Sequence, residues 1–252
     1  MTRKRLLLFG GVGLFAAIAA VITVVAVQLL RSDDVKLETS APAIPTQAGT
    51  QTAQGSASPT AAAGQSNATA PGVFRFVVDP SGSKATYVVR EKLAALPVES
   101  NAVGTTSTIS GEIYLTKDGL DKDQKSTFRV DLRTLRSDES RRDNFISGTT
   151  LQASRFPFAE FVLESVTGWP ANYVEGTEVS LQLSGTMTIR GVAKPLTWQV
   201  KARRQGDTLT AVADTEFKMT DFGISPPDIA NIAKAQDGVQ LQVVLLAKTP
   251  AS

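Results

Sequence analysis

Asp138, Glu139 and Asp143 stand close enough in sequence to serve as paired carboxylates, the groups that general acid–base hydrolysis requires. They are interleaved with Arg136, Arg141 and Arg142, and ion pairing at a helix start accounts for that mixture without catalysis. Asp118-Gly119-Leu120-Asp121-Lys122-Asp123 gathers carboxylates around a glycine, but it lacks the spacing and the closing glutamate of a calcium loop and reads as a solvated turn. Histidine and cysteine are absent from all 252 residues. Without imidazole or thiolate there is no Ser-His-Asp or Cys-His nucleophile and no ordinary zinc or copper site. Gly10-Gly11-Val12-Gly13 lies inside an apolar run and is not a phosphate loop. No catalytic residue, metal ligand or cofactor is assigned, and the chain reads as a binding protein rather than an enzyme.

The elements around these residues are strands. From Leu181 to Ile189, Leu181, Leu183, Met187 and Ile189 alternate with Gln182, Ser184, Thr186 and Thr188. Gly191 breaks the run, Pro195 closes the turn, and Leu196, Trp198 and Val200 resume the alternation. A period of two gives one apolar and one polar face, and a short Gly/Pro turn makes the two strands a hairpin. The same alternation recurs at Phe74–Val78, Tyr87–Val89, Ile109–Leu115, Phe128–Leu132, Phe161–Leu163, Leu209–Ala213 and Val239–Ala247. About eight evenly spaced strands indicate an all-β barrel or sandwich. Two segments break the pattern and predict short helices: 137–147, with its acidic start, and 227–236, where Ile229, Ile232 and Ala233 follow Pro226-Pro227.

The N-terminal part has a different character. Arg3, Lys4 and Arg5 precede an uncharged run from Leu6 to Leu30, long enough to cross a bilayer as a helix, which takes roughly 20 apolar residues. A cleavable signal peptide would have a shorter apolar region of about 7–15 residues. Residues 1–31 are therefore expected to be a cytoplasmic tip and an uncleaved transmembrane signal anchor. The basic flank puts the N-terminus inside and the rest of the chain outside the cytoplasmic membrane as a single-pass protein. Residues 32–72, uncharged from Thr39 to Gly72 and rich in Ala, Thr, Ser, Gln and Pro, read as a disordered linker.

Residues 73–252 remain as one domain. Setting aside Arg3, Lys4, Arg5, Arg31 and Lys36 from the 26 basic residues, and Asp33, Asp34 and Glu38 from the 24 acidic ones, leaves 21 of each. A nucleic-acid surface needs a basic excess on the folded part, and there is none. Apolar stripes around a barrel of about eight strands either fill the interior or line a bore for one small ligand, and the pattern alone fits both.

Several ordered motifs decide how that choice is read. Val77-Val78-Asp79-Pro80, Ser83-Lys84-Ala85-Thr86-Tyr87-Val88-Val89, Ser110-Gly111-Glu112-Ile113, Phe128-Arg129-Val130-Asp131-Leu132, Arg141-Arg142-Asp143-Asn144-Phe145, Phe156-Pro157-Phe158, the Gly185–Pro195 hairpin and Asp221-Phe222-Gly223-Ile224 follow one another across the domain. In order and spacing they resemble the YceI-like family of lipid- and polyisoprenoid-binding domains. That resemblance implies an extended, antiparallel, lipocalin-like barrel whose apolar bore holds an isoprenoid or another long amphiphile. On that basis Phe76, Phe128, Phe161, Leu181, Leu183, Met187, Ile189 and Trp198 are the expected lining, and Arg142 with Asp143 the expected structural ion pair. Many members carry a histidine where this chain has Arg90-Glu91-Lys92-Leu93, so its head-group chemistry departs from theirs. The alternative function is a filled barrel that serves as a tethered protein-interaction module.

Overall fold

Alternating apolar and polar residues drive almost every segment after Phe74 into one antiparallel sheet. The computed structural model describes residues 35–44, 72–94, 99–229 and 233–250. The expected anchor at 1–31 and the expected linker beyond residue 44 lie outside the described residues. Among the described residues no helix is long and apolar enough to cross a membrane.

The strands are β1 (Phe74–Val78), β2 (Lys84–Leu93), β3 (Glu99–Thr106), β4 (Ile109–Thr116), β5 (Gly119–Leu120), β6 (Ser126–Asp131), β7 (Arg136–Ser137), β8 (Phe158–Thr167), β9 (Val179–Ile189), β10 (Val192–Gln205), β11 (Thr208–Lys218), β12 (Asp228–Ile229) and β13 (Ala233–Lys248). Among the described residues one α-helix, α1 (Ser140–Phe145), is formed, within the segment where the acidic start predicts it. The order β1-β4-β6-β8-β9-β10-β11-β13 closes on itself through Val77 and Val78 of β1 against Lys248 and Ala247 of β13, giving an eight-stranded antiparallel barrel. β2 continues along β13 above β1, β3 pairs with β2, and β7 pairs with β3, so the wall is taller on that side. Closure leaves the barrel strands no free edge, which a sheet of this length would otherwise expose.

Pro80–Gly82 forms a 3-10 turn between β1 and β2, and the side chains around it replace the ladder bonds that the kink removes. Asp79 N donates to the Leu246 carbonyl at 2.8 Å, and Leu246 N donates to Ser83 Oγ at 3.0 Å. Lys248 Nζ bonds Asp79 Oδ2 at 2.8 Å. Lys248 and, after it, Ser81 lower the Asp79 carboxyl to about 2. A carboxyl whose folded value is depressed adds stability above its unfolded value, about 3.9, and loses it as pH falls through the folded one. Asp79→Asn is therefore expected to melt below wild type at pH 6, with the gap closing between pH 4 and 2. A gap that persists at pH 2 would assign the effect to turn geometry instead of charge.

The β9–β10 hairpin turns through Arg190 and Gly191, at φ 51° and 76°. Two positive φ values match the primed turns that follow the twist of flanking strands. Pro195, expected at the turn, lies inside β10 opposite Thr186. It is tolerated because the β10–β11 pairing begins only at Gln199, which leaves that side of Pro195 unpaired. Gly185 of β9 faces Leu163 of β8, and a Cβ placed there would stand 2.1 Å from the Val162 carbonyl oxygen and 2.8 Å from Phe161 Cζ. Gly185→Ala must therefore push two strands apart, and its denaturation midpoint should fall by the equivalent of about 1–3 kcal/mol at unchanged m-value. An unchanged midpoint would mean the β8 bulge between Leu163 and Ser165 absorbs the methyl.

The second predicted helix is not formed. Asp228 and Ile229 pair with Lys234 and Ala233 as a hairpin, and Ala233 pairs in turn with Leu93 of β2. At the described positions the helical spacing is overridden because the sheet takes the backbone groups of Asp228, Ile229 and Ala233. Residues 230–232 lie outside the described ones.

The start of the expected linker also differs. The compact unit begins at Leu37, and residues 37–44 lie against the outer face of β10, β11 and β13. Glu38 N donates to Gln242 Oε1 at 2.8 Å, Gln242 Nε2 returns a bond to the Glu38 carbonyl at 2.9 Å, Ala41 N donates to Glu178 Oε2 at 2.9 Å, and Thr210 Oγ1 donates to the Pro42 carbonyl at 2.8 Å. This contact buries Ala41 and Thr210 although neither faces the barrel interior.

Candidate functional site

The inward rows of the strands meet in a cavity instead of a filled centre. β9 contributes Leu181, Leu183, Met187 and Ile189, β10 Trp198, Val200 and Ala202, and β11 Leu209, Ala211 and Ala213, all at the period of two that puts them on one face. The cavity measures about 700 Å³, within the range of roughly 300–1,000 Å³ typical of sites for small amphiphiles. Ala211 and Ala213 of β11 stand beside Ala202 and Val200 of β10, a run of small residues that leaves this stretch of the wall thin on the cavity side.

Of the eight residues expected on the wall, Phe128, Phe161, Leu181, Leu183, Met187, Ile189 and Trp198 line the cavity. Phe76 does not. It is fully buried in the apolar cluster, paired with Ile113, which does line the cavity. Phe161 meets Trp198 edge to face, with ring centroids 6.0 Å apart and planes at 68°. The bare backbone of Gly185 makes room for the Phe161 ring.

The two ends of the cavity differ. Every charged residue of the lining stands at the α1 end: Glu91, Asp138, Glu139, Arg141 and Arg142. Trp169 stands at the other end, where its indole Nε1 donates to the Lys117 carbonyl at 3.3 Å and its ring stacks on Tyr173. A cavity that is charged at one end and apolar along the rest has the polarity of an amphiphile.

The α1 end is organised by Arg142. Its Nη2 bonds the buried Glu91 at 2.9 Å and its Nη1 bonds Asp138 at 2.5 Å. Burial opposes the guanidinium charge, but Glu91 and Asp138 outweigh it and hold Arg142 above its ordinary value. The expected Arg142–Asp143 pair is not formed. Adjacent helix residues point in different directions, and Asp143 Oδ1 instead accepts from Ser137 N at 2.8 Å and Ser137 Oγ at 2.7 Å. Tyr87 lies flat over Gly104, where a Cβ would stand 2.2 Å from its ring. Burial pushes the Tyr87 hydroxyl up to about 12, against the pull of Arg142, so it remains a donor at neutral pH.

Sequence reasoning missed Glu91, Tyr87 and Trp169 as parts of this site. Glu91 carried a signal: it holds an inward position of β2, in step with Tyr87 and Val89, where an acid needs a partner.

The sequence profile of the YceI-like domain matches residues 76–247. The chain belongs to the YceI-like domain family. Two solved structures share the fold. Burkholderia cenocepacia BcnA shares 22% identity at a TM-score of 0.51, covering 68% of this chain and 99% of that one. A polyisoprenoid-binding domain from Saccharophagus degradans, implicated in plant cell wall breakdown, shares 14% identity at a TM-score of 0.56, covering 70% of this chain and 99% of that one. No curated protein matches the sequence. At these identities the two structures share the fold, an all-β closed barrel, and say nothing of this chain's ligand.

Proposed function

We propose that this YceI-like protein is a membrane-tethered, extracytoplasmic carrier that holds an isoprenoid or another long amphiphilic lipid in its barrel. The observation that carries this reading is the hollow interior, with its charges confined to the α1 end. The tail runs toward Trp169 and the polar head stays near Arg142. Burial of alkyl surface contributes about 0.8 kcal/mol per methylene, so a tail of about a dozen carbons gains roughly 10 kcal/mol before the cost of association is subtracted. No ion pair with the tail is needed. The tether follows from the apolar run 6–30 and its basic flank, and the hollow interior favours the carrier over a filled interaction module. A binding protein, not an enzyme, fits a lining without a nucleophile–base pair.

The test is extraction of the full chain from membranes with a styrene–maleic acid polymer, followed by lipid mass spectrometry. One amphiphile should appear near one per protein and enriched over its share of the surrounding membrane. Lipid in bulk proportions only would sink the carrier reading. Digestion of residues 73–252 by protease added to intact spheroplasts tests the extracytoplasmic placement, and protection there would overturn it.

A further inference from the structure

Phe145 and Ile146 line the cavity at its α1 end, yet neither packs against the apolar cluster of the barrel. They belong to a segment, residues 138–151, in which α1 runs on through the wider turn Ile146–Thr150, closed by Leu151 N donating to the Ile146 carbonyl at 2.8 Å. Turns bonded five residues apart are rare and gather at functional sites. A helix docked on a barrel normally buries its apolar side, but none of residues 140–150 is buried. The segment also stands at the mouth. Asp138 lines the cavity while its side chain is 83% exposed, so the cavity meets solvent here.

Its ends are fixed and its middle is loosely held. At the entry, Ser137 N and Ser137 Oγ both donate to Asp143. At the exit, Ala153 is fully buried and its N–H donates to the Ser147 carbonyl at 2.8 Å, next to Gln152 at φ 50°, a backbone conformation that favours glycine. Between these hinges, among the described residues, one bond ties the segment to the wall: the Arg142–Glu91 ion pair at 2.9 Å. Few buried apolar contacts and a single polar tie mark a region that opens readily. We infer that residues 138–151 form a lid over the bore, latched by Arg142 on Glu91, which opens to pass the lipid and closes with Phe145 and Ile146 against its chain. This rests on the carrier reading above. The occupant is the lipid chain and not a protein partner, because both side chains border the same continuous space as Leu183 and Met187. Loading then supplies the packing that the empty lid lacks, so the lid is ordered by the cargo it holds.

The experiment uses the full chain in phosphatidylcholine nanodiscs, with dansylaminoundecanoic acid as the probe. Both tryptophans, Trp169 and Trp198, line the cavity, so energy transfer from indole to dansyl reports probe inside the barrel. The chain has no cysteine, so Glu91→Cys with Arg142→Cys introduces the only two thiols, which an ethylene bis-methanethiosulfonate joins and dithiothreitol frees. With the thiols free the latch is gone, and probe exchange with added vesicles is expected to be about tenfold faster than in wild type, one partly buried ion pair having been lost. With the thiols joined, exchange is expected to fall below the wild-type rate by a similar factor, and dithiothreitol should restore it. Equal rates in the joined and free forms would overturn the inference and route the lipid past Trp169, leaving the carrier reading intact. If wild type shows no energy transfer with the probe, the bore is not a lipid site, and both fall. Should the double variant fail to fold or to cross-link, hydrogen exchange on wild type decides. Amides of residues 141–150 are expected to exchange faster than those of β9 in the empty protein and to slow when the probe is bound, and the same protection in both states would overturn the lid.

Discussion

Met187→Gln is expected to empty the barrel before it unfolds it. Met187 faces Phe161 across the β8–β9 ladder and lines the cavity, so its thioether forms part of the wall that a ligand tail would touch. The amide of glutamine, nearly isosteric, has no acceptor or donor among the apolar side chains around it. In the empty barrel that amide can be met by water, because the cavity admits it. In the filled barrel it is stripped of water against a hydrocarbon chain. The penalty therefore falls mainly on the bound state, about 2–3 kcal/mol, or roughly thirty- to a hundredfold in affinity. Lipid co-purifying with the variant should drop accordingly, while its melting curve stays near that of delipidated wild type. A variant that loses its fold outright, beside a wild type that never carries lipid, would place Met187 in an ordinary packed core and remove the carrier function with it.

The wall of this site was legible because strands write their inward face into the sequence at every second residue. From Leu181 to Val200 the alternation names the lining almost residue by residue, and the structure keeps that register. What alternation cannot distinguish is a side chain that borders the cavity from one packed behind its neighbours, as Phe76 is beside Ile113. Whether the bore is hollow depends on summed volumes across strands far apart in the chain, such as Ala211 between Ala202 and Leu245, and no local pattern records that. Periodicity also misled at 227–236, where Asp228, Ile229 and Ala233 pair as strand because β13 takes their backbone groups. The contact of residues 37–44 with the outer wall was invisible for a related reason: its bonds come from the main chain of Glu38, Ala41 and Pro42, whose side-chain types carry no trace of it. Charged residues were read least well. Sequence adjacency suggested Arg142 with Asp143, whereas the partner that matters, Glu91, lies 51 residues away on β2.

Arg142→Met is expected to be among the most destabilising single changes at the α1 end, and its rescue by a second substitution is the sharper result. Glu91 is buried and depends on the Arg142 guanidinium for its partner. Removing that cation strands a carboxylate in an apolar wall, which costs about 3–5 kcal/mol, at the low end here because Arg142 itself reaches solvent. For a domain of this size that corresponds to a fall of roughly 6–12 °C in Tm. Taking away both charges removes the penalty at its source, so Arg142→Met combined with Glu91→Gln should recover more than half of the loss. Asp138, exposed on the other side of the guanidinium, cannot produce that rescue, because an exposed pair contributes little to stability. Losses that simply add in the double variant would show that Arg142 acts by packing α1 over the barrel end rather than by neutralising Glu91. Rescue of Tm without recovery of lipid would separate the two tasks of the pair, since the barrel end can be made stable with an apolar pair while a polar head group still needs the charge.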